Sequence, residues 1–223
     1  MAQYGVLLST TGGEVWVTAN SSPLALQVRK TAVLQGTSGF NTKVTHTFPS
    51  GQPVVAFVHC TVEVEITQTI SGNTITIDFL RPVAAGTAYV YFFSIFPQTK
   101  PDYGLAVWDA SGTLILTNET RTLSDVVAIG TAGVDASSGY NINTTRAGKW
   151  ACMPAMLGLI TGVISAGGQP QPYAAIYKSM AKLEGSNTRI FARPQTTPSG
   201  GLQNVAYSNM RNVIMAINCA NFD

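Results

Sequence analysis

Tyr103-Gly-Leu-Ala-Val-Trp-Asp-Ala-Ser-Gly-Thr-Leu-Ile-Leu-Thr117 decides how this chain is read. Two short apolar arms flank Asp109-Ala-Ser-Gly112, and Gly112 can take the positive φ that a tight connection requires. The stretch predicts a β-hairpin. The same design stands 99 positions earlier, as Tyr4-Gly-Val-Leu-Leu-Ser-Thr-Thr-Gly-Gly-Glu-Val-Trp-Val-Thr18. Tyr4, Gly5, Gly13 and Thr18 match Tyr103, Gly104, Gly112 and Thr117 without a gap. Two hairpins of one design, about a domain apart, imply a duplicated module. Further along, Arg121 to Gly130 aligns with Leu26 to Gly36, the offset becoming 94 where Gly36-Thr-Ser-Gly39 matches Gly130-Thr-Ala-Gly133, and Val213 to Ile217 aligns with Val90 to Ser94.

Working outward, composition agrees with β structure. Charged residues are 11% of the 223, against a usual share of about 25%. Thr, Ser, Asn and Gly supply the polarity, which suits strands and turns rather than helices. The expected fold is all-β, with two tandem β-sandwich-like modules, duplicated in origin, and little helix. The boundaries fall at residues 1–97 for the first module, 98–102 for a Pro-rich linker between Pro97 and Pro101, and 103–223 for the second. In the first module Val62, Val64 and Ile66 alternate with Glu63, Glu65 and Thr67, which predicts a strand with one wet face. Ser71-Gly72-Asn73 should turn that strand into Thr74 to Leu80. In the second module Trp150 to Ile164 reads as one or two buried strands, and Val213 to Cys219 as a final strand. Tyr173 to Leu183 fits a helix and a strand equally.

The titratable residues narrow the chemistry. A net charge of +2 without a basic stripe argues against nucleic acid as a partner. Three widely spaced cysteines, Cys60, Cys152 and Cys219, exclude a full disulfide framework and read as buried thiols in a reducing compartment. The opening residues lack a basic n-region, so no signal peptide is expected. No apolar run reaches about 18 residues, so no membrane insertion is expected. His46 and His59 lie in strand-like runs with no G-x-S-x-G turn nearby. Glu63 and Glu65 stand about 6.6–6.8 Å apart on one strand face, a spacing compatible with glycoside hydrolysis, but alternating Val and Glu is also the ordinary pattern of a solvated strand. The chain is read as a non-enzyme, with no catalytic, metal or cofactor residue assigned. Trp16, Trp108, Tyr140, Tyr173 and Tyr207 are the candidate ligand or partner contacts. Exposed aromatic rings can stack on sugars, and aromatics are also the common material of a β core and its rim.

The segment Tyr103 to Thr117, followed by Asn118-Glu-Thr-Arg-Thr-Leu123, resembles the opening of small tail-tip and tail-fibre-associated structural proteins of tailed bacteriophages of the siphophage type. The likeness is best over residues 102–130 and weaker over 4–18. It implies a structural component of the virion in the tail tip, baseplate or fibre region, assembled in the host cytoplasm. It implies other phage tail proteins as partners and a homo-oligomer, either trimer or hexamer. The matching positions are structural, so no functional residue carries over. The alternative is a receptor- or carbohydrate-binding module used in host attachment, with a host surface glycan or receptor as its partner.

Overall fold

The computed structural model describes residues 8–9, 15–17, 22–36, 41–166, 168–196 and 201–223. Hairpin one is β1 (Leu8–Ser9) with β2 (Val15–Val17). There follow β3 (Ala25–Leu34), β4 (Thr42–Thr47), β5 (Val54–Cys60), β6 (Glu65–Ser71), β7 (Thr74–Leu80) and β8 (Gly86–Ser94). Hairpin two is β9 (Ala106–Trp108) with β10 (Leu114–Thr117). The rest is β11 (Val127–Ile129), β12 (Asn143–Ala147), β13 (Trp150–Cys152), β14 (Met156–Ala166), β15 (Gln169–Glu184), β16 (Asn187–Pro194), β17 (Gln203–Asn209) and β18 (Ile214–Asn218). Among the described residues the only helical pieces are three-residue 3₁₀ turns, and no helix is long and apolar enough to cross a membrane. The protein is all-β.

Its strand order shows the duplication in full. In the first half β3-β8-β5 packs on β4-β7-β6. In the second half β11-β18-β13 packs on β12-β16-β15, with β14 and β17 added outside β15. The plans are identical strand for strand, and the registers agree too. Leu8 faces Val17 and Ser9 faces Val15, as Val107 faces Leu116 and Trp108 faces Leu114. Cys60 pairs with Ala88 as Cys152 pairs with Ala216. The β6–β7 turn is Gly72-Asn73 and the β15–β16 turn is Gly185-Ser186, with φ of 57° and 63° at the glycines. Such two-residue hairpin turns need a residue that tolerates positive φ. Even the hydrogen bond after the second strand recurs: Phe48 N–H donates to Asn73 O at 2.9 Å, and Gly148 N–H to Ser186 O at 3.1 Å.

The two halves share one sheet. β5 pairs antiparallel with β13 through Val58 and Cys152, and meets β15 in parallel through Cys60 and Lys182. Equivalent strands lying antiparallel side by side define a local two-fold axis near His59, whose Nδ1 is 2.7 Å from Trp150 O. Residues 97–102 form an irregular crossing, tied to hairpin two by Gln98 N–H donating to Leu114 O at 2.8 Å. Three cores result. Ile75, Ile77 and Phe79 of β7 meet Val90 and Phe92 of β8, and Met180 and Phe191 of the second half close that core. Ile129, Ala181, Ile190 and Ile214 fill the second. Phe57, Phe93, Ile217 and Phe222 cover the outer face of the shared sheet.

Several expectations change. Ile129 pairs with Ile214 as Leu34 pairs with Gly86, so β11 is one residue out from the offset read in the sequence. A one-residue slip exchanges sheet faces; the observed register buries both Leu34 and Ile129. At the C-terminal strand, Ala216 takes the place of Ala88, so Ile214–Asn218 answers to residues 86–90 rather than to residues near 90–94. The strand correspondence stands, but the apolar residues that mark it in the sequence are not the equivalent ones. β6 begins only at Glu65, and Val64, Glu65 and Ile66 are all buried. The predicted wet face fails there because Lys178 and Arg81 cover Glu65. Trp150 to Ile164 is two strands, broken by Pro154, and Tyr173 to Leu183 lies wholly in β15.

Candidate functional site

The candidate site lies on the strands that the second half has and the first lacks. β14 pairs with β15 on one side and β17 on the other. Across these strands Tyr177, Gly158 and Asn209 form one row and Ala175, Ile160 and Tyr207 the next, with Tyr173 opposite Gly162. Side chains of directly paired residues, and of residues two apart along a strand, point to the same face. Tyr173, Tyr177 and Tyr207 therefore surround a central strip of Gly158, Ile160 and Gly162.

The glycines make room. A Cβ on Gly158 would come within 2.6 Å of Tyr140 Cδ1, and one on Gly162 within 2.8 Å of Leu202 Cδ1. Tyr140 thus packs against β14. Its ring centre is 5.5 Å from that of Tyr177 and 5.7 Å from that of Tyr207, both tilted. The loop that carries Tyr140 is held from the other side. Asp135 accepts two hydrogen bonds from the Arg211 guanidinium, at 2.7 and 2.9 Å, and Gly139 N–H donates to Asn212 O at 2.8 Å. The Arg211 hydrogen bonds hold the Asp135 carboxyl below its usual range.

Between these rings is a cleft of about 290 Å³, lined by Ile160, Tyr173, Tyr177, Pro194, Leu202 and Tyr207, with Thr196 and Val205 at its margin. Among the described residues no charged side chain lines it. Tyr173 Oη donates to Thr196 O at 2.7 Å, which fixes that ring. Burial first, then the neighbouring Tyr207, Tyr173 and Tyr140, push the Tyr177 phenol above its ordinary value. Among the described residues the hydroxyls of Tyr140, Tyr177 and Tyr207 have no hydrogen-bond partner within the protein. Such a surface can stack on a flat apolar face and hydrogen-bond to what surrounds it.

Of the five contact candidates read from the sequence, Tyr173 and Tyr207 line this cleft, and Tyr140 packs beside it on Tyr177 and Tyr207. Trp108 does not: it stands half-exposed on hairpin two, near the exposed Tyr103 and Leu105 in sequence. Trp16 is on β2, and its side chain lies outside the described residues. Sequence reasoning missed Tyr177, although it follows Tyr173 at a spacing that shares a face in a strand. Residues four apart share a face in a helix as well as in a strand, so that pairing was legible in the sequence whichever element formed.

Glu63, Glu65, His46 and His59 are structurally engaged, and the three cysteines are buried. Glu65 pairs with Arg81 and with Lys178 Nζ at 3.2 Å, and Glu63 with Lys182 Nζ at 3.3 Å and Arg193 Nε at 3.8 Å. His46 sits 2.9 Å from Gln27 Oε1, with its ring centre 5.1 Å from that of Phe92. Burial lowers the pKa of both His46 and His59. Burial also raises the Cys152 thiol to about 12 and Cys219 to about 11, and drives Cys60 up further. A neutral thiol is a poor nucleophile. Among the described residues no three His, Cys, Asp or Glu side chains group as metal ligands would. No family model, no curated protein and no solved structure matches this chain.

Proposed function

We propose that this protein is a structural component of a bacteriophage virion, in the tail tip, baseplate or fibre region, that works through assembly contacts rather than catalysis. The observation that carries the reading is strand β17. Gln203-Asn-Val-Ala-Tyr-Ser-Asn209 contains no Lys, Arg, Asp, Glu or Pro, and its residues from 203 to 208 are exposed. Among the described residues its outer edge pairs with nothing. Proteins that stay monomeric blunt such edges with charges, prolines or bulges, because unpaired N–H and C=O groups recruit further strands; β17 has an irregular register near Asn204, whose φ is 51°, but neither a charge nor a proline. An open, uncharged edge is what a subunit covered by its neighbours can keep. Tyr103, Leu105 and Trp108 add a second exposed apolar surface on hairpin two. The placement in a phage tail rests on the likeness carried by Tyr103 to Leu123.

Two measurements test this. Native mass spectrometry of the purified protein should show a homo-oligomer, and Ala206→Lys on the edge strand, at a position that does not line the cleft, should shift it toward monomer. Mass spectrometry of purified virions should find the chain. Its absence from virions removes the placement, and a wild-type monomer at high concentration removes the role of the edge.

A further inference from the structure

We propose that the tyrosine-lined cleft on β14, β15 and β17 is a binding site for a neutral oligosaccharide. The site is independent of the role in assembly, because that role uses the edge of β17 and this one uses the sheet face.

The shape of the site argues for a sugar. Tyr173 and Tyr177 are four residues apart on one strand, which separates them by about 13 Å and leaves room for more than one ring. Tyr207 faces them across Ile160. The C–H bonds on one face of a pyranose ring carry slight positive charge, and the π face of a tyrosine is negative, so the two attract when stacked. Tyrosine also offers this area at low entropic cost, since it has only two side-chain torsions to fix.

The polar groups agree with the rings. A sugar surrounds its apolar face with hydroxyls that both donate and accept, and phenolic hydroxyls do the same. Those of Tyr140, Tyr177 and Tyr207 are unused among the described residues. The lining holds no cation to meet a phosphate, sulfate or uronate, and no anion to meet an amine. The ligand is therefore neutral. An extended peptide is poorly served, because the backbone groups of β14 and the paired part of β15 beneath the cleft are engaged in the ladder and no main-chain pairing is left on this face.

The rings are also held in advance of binding. Tyr173 is fixed by Thr196, and Tyr140 by the floor of Gly158 and by the Asp135–Arg211 brace. A preorganised site loses less freedom when its ligand arrives.

The test is titration calorimetry of the intact protein with maltotriose, cellotriose, mannotriose and tri-N-acetylchitotriose, alongside a sulfated trisaccharide and decaproline. At least one neutral trisaccharide should bind, with affinity reduced about tenfold by Tyr207→Ala and by Tyr173→Ala, a typical loss for an aromatic contact. Tyr207→Phe keeps the ring and should retain most of the binding, and Val33→Ala on exposed β3 should change nothing. Circular dichroism of each variant confirms that it is folded. Binding of none of the four neutral sugars at about 10 mM, where even affinities weaker than millimolar register, overturns the proposal. Binding indifferent to the tyrosines, preference for the sulfated sugar, or decaproline in place of sugar overturns it equally. None of these outcomes bears on the oligomeric state, so the two readings fail separately.

Discussion

The first half of this protein ends its β6–β7 hairpin in plain scaffold, whereas the second carries β14 and β17 alongside the equivalent hairpin. Everything the halves share is structural: the hairpin register, the glycine turns, the Cys–Ala pairs in the shared sheet. What differs is the added ribbon, and the cleft is on it. A duplicated sandwich can take such an insertion because β14 and β17 pair outward from β15, away from the core beneath. The comparison also shows an asymmetry at the seam. The first half supplies the carboxylates Glu63 and Glu65, and the second supplies Lys178, Lys182 and Arg193.

The largest effect is expected when the halves are separated. A fragment of residues 1–101 would expose the edge of β5, where Ala56, Phe57 and Val58 are fully or almost fully buried, and would lose Met180 and Phe191 from its core. The fragment should aggregate or self-pair through β5 in ultracentrifugation. A stable monomer with dispersed NMR signals would show instead that each half is an independent domain.

A smaller effect is expected at the seam. Glu65 is almost fully buried, while Lys178 and Arg81 keep some contact with water. Glu65→Gln should cost about 1–3 kcal/mol in urea unfolding, below the cost of orphaning a fully buried charge, because the two cations can return to solvent. An unchanged midpoint would mean that the ion pairs contribute nothing net.

The two turns sharpen the comparison further. Gly72 and Gly185 have positive φ, and nothing lies within 4 Å of the place a Cβ would take, so alanine at either site costs only the backbone conformation. Each substitution should cost about 1 kcal/mol, and the two costs should agree, if the turns are truly equivalent. A large difference between them in thermal unfolding would deny it.

The smallest effect is one of pH. Burial lowers the pKa of His59, which sits where the halves meet. The unfolded chain therefore binds this proton more readily than the folded one. Stability due to neutral His59 is complete above its ordinary value of 6.5 and declines as pH falls from there toward the folded value. His59→Gln should flatten the decline in melting temperature between pH 7 and pH 5, with His46, similarly shifted, supplying what remains. A slope unaltered by the substitution would place the linkage elsewhere.

Local chemistry made part of this legible in advance. The hairpin at Tyr103 to Thr117 follows from Asp109, whose carboxylate accepts from the N–H groups of Ser111 and Thr113 at 2.9 and 2.8 Å, and from Gly112 with φ of 82°. Those contacts are made within five residues, so sequence contains them. The likeness to Tyr4–Thr18 was visible for the same reason. The alignment at β11 shows where this stops: the two segments were matched, but Leu34 and Ile129 are equivalent only in a register that cross-strand packing selects.

By itself, then, the sequence determined that the chain is β, where it turns, and that one hairpin design occurs twice. Short-range sterics and turn hydrogen bonds suffice for that. Only the tertiary structure decided that β5 lies against β13, that Glu65 is inside, and that Tyr140, Tyr177 and Tyr207 come together beside Gly158 with Tyr173 farther along the same face. Each of these depends on pairing between distant segments, where closing the chain costs entropy and is favourable only when the whole set of contacts forms together.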